Sequence, residues 1–161
     1  LIPAGPMREK LESLKKYNAV FLNGNGENIS KLKPIIKKFN KKIKIFETFY
    51  EPLRVKKFNK KEKYLAFSGI GNPTSFKKTL IKNKFNIIKE IIFADHYQYT
   101  SNDIMNIKRS AKELGAKIIT TEKDYIKLKP MDNKGINFLE VKLVLKKEKE
   151  LINLIKKYIW N

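Results

Sequence analysis

Short apolar runs and longer amphipathic stretches take turns along this chain. Ala19-Val20-Phe21-Leu22, Tyr64-Leu65-Ala66-Phe67-Ser68, Ile87 to Phe93 and Lys117 to Thr120 are compact runs of the kind that buried strands require. Lys44 to Phe49 alternates enough for a further strand. Between these runs apolar residues recur at helical spacing. Ile104, Ile107, Ala111 and Leu114 follow Thr100-Ser101, either of which can cap the helix, and Gly115 stops it. Phe76 and Leu80 follow Asn72-Pro73, which suit an N-cap and a first helical residue. Helices are also expected over Arg8 to Tyr17, Ile29 to Phe39 with a break or restart near Pro34, Thr121 to Leu128, and Glu148 to Ile159. Glu51 to Phe58 should run on extended, with Pro52 marking an edge or a linker ribbon, and Ile136 to Leu145 should form one strand.

Strand alternating with helix favours a mostly parallel sheet covered on both faces. The expected fold class is therefore α/β, a Rossmann-like three-layer α/β/α sandwich with a short β linker near residues 44–58. A chain of 161 residues should form one core. Leu1 to Pro6 holds two prolines and a glycine, and no initiator Met precedes Leu1. The chain thus reads as a fragment, with residues 1–16 a connection and 17–161 the domain.

In such sheets ligands gather outside the carboxyl ends of the strands. Three loops should share that rim: Gly69 to Pro73, Ala94 to Tyr99, and Thr120 to Asp124. Gly69 and Gly71 could let the backbone approach an anion at the helix N-terminus that Asn72 caps, or could simply serve a tight turn. Thr121, Glu122, Lys123 and Asp124 could present a hydroxyl, a cation and two carboxylates to a nucleotide, while Thr121 with Asp124 also resembles a capping box. His96 is the one histidine, beside Asp95, and its imidazole could orient a carboxylate or be structural. With no cysteine and no second histidine, a site built from those ligands is excluded. The phosphate-binding pattern G-x-x-x-x-G-K-[ST] does not occur.

Lys and Arg number 36 against 16 Asp and Glu, for a net charge of +20, which suits an anionic partner. Only three of these cations are arginines (Arg8, Arg54, Arg109), and the lysines are spread along the chain. Nucleic-acid readers use arginine forks in local patches, so no nucleic acid is expected. Richness in Lys, Asn and Ile also fits AT-rich coding. No apolar run reaches the roughly 20 residues that span a bilayer. A basic nucleic-acid-binding domain and a non-catalytic ligand-binding α/β domain remain the alternatives.

Four stretches together carry a resemblance: Pro3-Ala4-Gly5-Pro6-Met7-Arg8-Glu9, Ala66 to Phe76, Phe93 to Tyr99, and Thr120 to Asp124. In order and separation they resemble the PAGPLRE, AF-x-GIGNP-x-x-F, F-x-DH-x-x-Y and TTEKD motifs in the C-terminal half of the tetraacyldisaccharide 4′-kinase family. Met7 stands for Leu, and Lys10 for a commoner Pro. The resemblance implies transfer of the ATP γ-phosphate, with Mg2+, to the 4′-hydroxyl of tetraacyldisaccharide 1-phosphate in lipid A biosynthesis. It implies a peripheral enzyme on the anionic cytoplasmic face of the bacterial inner membrane. It further implies that the phosphate loop, the magnesium carboxylates and the base Asp lie in an N-terminal P-loop domain outside these residues. This chain alone should then be inactive and hold no metal. By the same resemblance His96 matches a histidine that orients the base Asp, and Glu9 a glutamate near the magnesium, with Arg8 beside it facing the cleft. Gly69, Gly71, Asn72, Asp95, Thr121, Glu122, Lys123 and Asp124 match motif positions on the cleft or nucleotide side.

Overall fold

The computed structural model describes residues 8–24 and 27–159, so the loop expected over Leu1 to Pro6 and the second half of the turn that Asn23-Gly24-Asn25-Gly26 predicts lie outside the described residues. In chain order the elements are β1 (Ala19–Asn23), α1 (Glu27–Phe39), β2 (Lys44–Pro52), β3 (Lys63–Ser68), α2 (Pro73–Lys82), β4 (Asn86–Ile92), α3 (Ser101–Glu113), β5 (Lys117–Thr121), α4 (Glu122–Lys127), β6 (Ile136–Leu139), β7 (Val141–Leu145) and α5 (Glu148–Ile159). The single core expected from chain length is not what forms. The chain divides into two compact units, one taking residues up to Glu51 and from Leu143 on, the other Pro52–Lys142.

The Pro52–Lys142 unit holds a four-stranded sheet of order β4-β3-β5-β6, every neighbouring pair parallel. Its layers follow from the period of two along central β3. Leu65 and Phe67 face one way, into a core with Ile104, Ile107 and Ala111 of α3 and Ile118 of β5. Tyr64 and Ala66 face the other way, into a core with Phe76 and Leu80 of α2, Phe85 and Ile119. Helices therefore cover both faces, the α/β/α sandwich expected. Leu65, Phe67, Leu80 and Ile119 are fully buried, each worth about 1.5–3 kcal/mol relative to exposure. The helix starts form as their sequences dictate. Asn72 Oδ1 accepts from Ser75 N at 3.0 Å ahead of Pro73, and Thr100 forms a reciprocal capping box with Asp103. Gly115 closes α3 at φ 59°, a left-handed conformation that suits glycine.

The other unit is built on a three-stranded sheet of order β1-β2-β7, with β1 parallel to β2 and Ala19 opposite Lys44. Ile29 and Ile36 of α1, Ile43, and Phe46 of β2 are its buried apolar residues. Glu47 on β2 pairs with Lys33 of α1 and, at 2.8 Å, with Lys146. These contacts lower the Glu47 carboxyl to about 2, the hydrogen bond from Lys146 first and that from Lys33 second.

The helix expected over Arg8 to Tyr17 forms as a short 3-10 helix over Leu11–Lys16, with no capping side chain and no residue buried to hold a longer one. Three local expectations are corrected. Pro34 neither breaks nor restarts α1, since Ile29 and Ile36 are anchored on both sides of it. The extended run ends at Pro52, where Leu53 N donates to Glu140 O at 2.8 Å. Arg54 then turns left-handed at φ 50° into a 3-10 turn over Val55–Lys57, and Arg54 and Lys57 reach Glu140 at 3.4 and 3.2 Å. Ile136 to Leu145 is two strands in two different sheets, β6 and β7, parted at that same Glu140.

Candidate active-site rim

Because β3, β4 and β5 are parallel, the loops that follow them leave from one edge of the sheet. Asp124, in the first turn of α4, ties two of these loops together. It is completely buried, and its Oδ2 accepts from Gly69 N at 3.0 Å and from Thr121 Oγ1 at 2.8 Å. Its Oδ1 accepts from Lys127 Nζ at 3.0 Å, one turn further along α4. Lys127 also donates to the carbonyls of Gly69 and Tyr97, each at 3.4 Å, and so engages all three loops. A buried carboxylate needs such partners, because desolvation disfavours an unpaired charge by several kcal/mol.

The loop after β4 packs against the loop after β3 where glycines leave room. A Cβ on Gly69 would meet Tyr99 Oη at 3.0 Å and the Ala94 carbonyl at 3.2 Å. A Cβ on Gly71 would meet Asp95 Oδ2 at 2.9 Å, closer than real side chains approach. Asp95 thus depends on a bare Gly71. Its Oδ1 accepts from His96 N at 3.0 Å, supporting the left-handed φ of 60° at His96. Its Oδ2 lies 3.8 Å from His96 Nε2, and the imidazole side chain is 75% exposed. His96 is a presented group, not a core histidine.

Aromatic rings back this rim. Phe93, Tyr97 and Tyr99 meet one another in tilted and edge-to-face contacts at centroid separations of 4.7 to 5.4 Å. Tyr97 Oη donates to Asp103 Oδ2 at 3.2 Å, which also accepts from Thr100 N at 2.8 Å. These Thr100 bonds hold the Asp103 carboxyl below its usual range. Tyr99 is buried with its hydroxyl unpartnered among the described residues, and burial, followed by the charge of Asp124, pushes its phenol well above the ordinary range.

The structure therefore brings Gly69, Gly71, Asn72, Asp95, His96, Thr121 and Asp124 onto one edge. It also sorts them. Thr121 and Asp124 are committed to each other, since Asp124 N donates back to Thr121 Oγ1 at 3.1 Å, so the capping reading holds at that pair. The side chains of Glu122 and Lys123 make no hydrogen bond or ion pair among the described residues, and Lys123 is exposed. Arg8 and Glu9 belong to the other unit, where with Lys10, Glu12, Ser13, Lys16 and Tyr17 they line an open hollow of about 580 Å³. Glu9 accepts there from Tyr17 Oη at 3.1 Å, and that bond raises the Tyr17 phenol. Tyr99 closes the F-x-DH-x-x-Y stretch, whereas Lys127 and Tyr97 match no motif position. The spacing of Lys127 three residues beyond Asp124 on a helix was the available signal.

A parallel sheet covered by helices on both faces, with the loops after its strands gathered on one edge, is of the doubly wound α/β class. The family model for tetraacyldisaccharide-1-P 4′-kinase (LpxK) matches residues 1–159, and the chain belongs to that family. A tetraacyldisaccharide 4′-kinase of Pelagibacter ubique is 42% identical over 152 residues, covering 94% of this chain and 48% of that protein. One from Rickettsia typhi is 39% identical, covering 84% and 41%. The crystal structure of LpxK from Aquifex aeolicus, solved in complex with ATP, superposes with a TM-score of 0.61 at 26% identity, covering 98% of this chain and 47% of that one. The chain spans about half the length of the relatives it matches.

Proposed function

We propose that this chain supplies the C-terminal half of a tetraacyldisaccharide 4′-kinase, which moves the γ-phosphate of ATP to the 4′-hydroxyl of tetraacyldisaccharide 1-phosphate in lipid A biosynthesis. Family membership, the ATP-bound Aquifex relative and the four motifs support this reading. The single observation that carries it at the site is the exposed His96 imidazole at a strand-end edge, with the His96 backbone N–H bound by Asp95 and the ring 3.8 Å from that carboxylate.

Phosphoryl transfer of this kind rests on positioning and electrostatics. His96 is a positioning residue in this reading: it would orient a carboxylate base, carried by polypeptide outside these residues, toward the sugar hydroxyl proton. Asp95 sets the His96 backbone, Gly71 admits Asp95, and the Asp124–Lys127 clasp fixes the loop that carries Gly71. In this reading the nucleotide phosphates and the magnesium are held by polypeptide outside these residues. The chain lacks the phosphate-loop pattern, and among the described residues no three His, Asp or Glu cluster as metal ligands.

The membrane assignment belongs to the same proposal. No helix among the described residues is long and apolar enough to cross a bilayer. The +20 charge suits a peripheral position on an anionic cytoplasmic leaflet, where each nearby cation contributes about 1 kcal/mol. The test is a kinase assay with radiolabelled ATP and lipid precursor. The 161-residue chain should be inactive alone and active when joined to a family N-terminal half carrying the phosphate loop. Activity of the chain alone, or none in the joined protein, would reject the assignment.

A further inference from the structure

We propose that Tyr97 is a positioning residue for the reaction: tethered at its phenol to α3 and at its carbonyl to α4, it holds the backbone that aims the His96 imidazole. The proposal rests on the kinase-half reading, from which His96 takes its role. It adds to that reading a residue at a position that the F-x-DH-x-x-Y stretch leaves open.

His96 has little of its own to hold it. Its side chain is 75% exposed, and its φ of 60° is a conformation that a residue with a Cβ adopts only at a cost. Apart from Asp95, which takes the His96 N–H, the constraint comes from the next residue along. Tyr97 N donates to Ala94 O at 3.2 Å and closes the turn that contains His96. Tyr97 O accepts from Lys127 Nζ at 3.4 Å, an ammonium that the wholly buried Asp124 fixes on α4. The half-buried Tyr97 ring lies against Phe93 and Tyr99 at centroid separations of 4.7 and 5.4 Å, and its Oη donates to Asp103 Oδ2 at 3.2 Å.

The Asp103 end of this tether is both rigid and charged. Asp103 Oδ2 also accepts from Thr100 N and Thr100 Oγ1 at 2.8 and 2.7 Å, which fixes it in the first turn of α3. Those bonds hold its carboxyl below the usual range, while burial, and then the charge of Asp103, raise the Tyr97 phenol. At neutral pH the phenol is therefore a donor and the carboxylate a charged acceptor, a pairing stronger than a neutral one. Two helices thus converge on the residue next to His96, and a group held on helices is placed more precisely than one held by its own loop. Burial of the ring would need no hydroxyl. The bond to Asp103 adds a direction, and direction is what a positioning residue supplies.

The chain has one histidine, so His96 can be followed without ambiguity in the 161-residue chain by 15N relaxation. In Tyr97→Phe the order parameter of the His96 amide should fall from the rigid range, about 0.85, toward about 0.6, with the β3 and β5 amides unchanged. In the kinase made by joining the chain to a family N-terminal half, the same variant should lower kcat about fivefold or more, with KM for ATP and for lipid precursor within about twofold. Tyr64→Phe is the control, since it loses a phenolic hydrogen bond of 3.0 Å, to Asn59 O, at the end of β3 away from the rim. It should change neither reading. An unchanged order parameter at His96, an unchanged kcat, or equal effects in Tyr64→Phe would overturn the proposal. His96→Ala in the same assay separates the two failures. A kcat that falls in His96→Ala and not in Tyr97→Phe refutes this inference alone, whereas a kcat unchanged in His96→Ala refutes the role proposed for His96 and this inference with it.

Discussion

Replacing Asp124 with alanine should loosen the Pro52–Lys142 unit more than any surface change nearby. The carboxylate is wholly buried and takes hydrogen bonds from Gly69 N, Thr121 Oγ1 and Lys127 Nζ at 3.0, 2.8 and 3.0 Å. Its removal leaves the Gly69 N–H without its acceptor and the largely shielded Lys127 ammonium without its counter-charge, with only the two carbonyls at 3.4 Å. Breaking a buried pair from one side costs roughly 3–5 kcal/mol, and an orphaned N–H alone about 1–3 kcal/mol. These overlap, so roughly 3–5 kcal/mol is the expected total. Asp124→Asn keeps an acceptor for Gly69 but not the charge facing Lys127, and should cost less, about 1.5–3 kcal/mol. Native-state amide exchange of β3 and β5 reads this unit by itself. At about 1.4 kcal/mol per tenfold change, the alanine variant should exchange roughly 10²- to 10³·⁵-fold faster where exchange follows unfolding of the unit. Exchange within about threefold of the parent would refute the clasp.

Gly71→Ala places a methyl group 2.9 Å from Asp95 Oδ2 and should displace Asp95, lowering turnover of the joined kinase on the order of tenfold or more while folding stability changes little; equal turnover would refute the role of that close approach. Glu47 titrates at about 2 in the folded chain against an ordinary 4.5, so its contribution to stability is present above pH 4.5 and lost as pH falls from there toward 2. Glu47→Gln should flatten that part of the Tm–pH profile, measured by circular dichroism; an unchanged slope would show that Lys33 and Lys146 do not hold the carboxylate.

Much of this was legible because local chemistry and tertiary packing agree. Thr100, Asn72-Pro73 and Gly115 mark helix ends by the groups they supply to the backbone, and tertiary contacts do not override them. The shared edge of the three loops followed from strand and helix alternation alone. What escaped notice depended on distant partners. Glu140 divides one apolar run into two strands because Leu53, Arg54 and Lys57 meet it from more than 80 positions earlier, as the separations of 86 and 83 show. Lys127 is unremarkable among the lysines of this chain until folding places the Gly69 and Tyr97 carbonyls above it. The division into two units was hidden for a related reason: β1 and α5 carry the patterns of a covered layer, although none of their residues is buried.

In the proposed kinase this edge presents His96 to act on a base held by other polypeptide. The measurement that decides this role is the kcat of the joined kinase with His96→Ala at saturating ATP and lipid precursor. An exposed imidazole contributes little to folding, so Tm should stay within a degree or two while kcat falls by about 10²-fold or more. An unchanged kcat would contradict the claim.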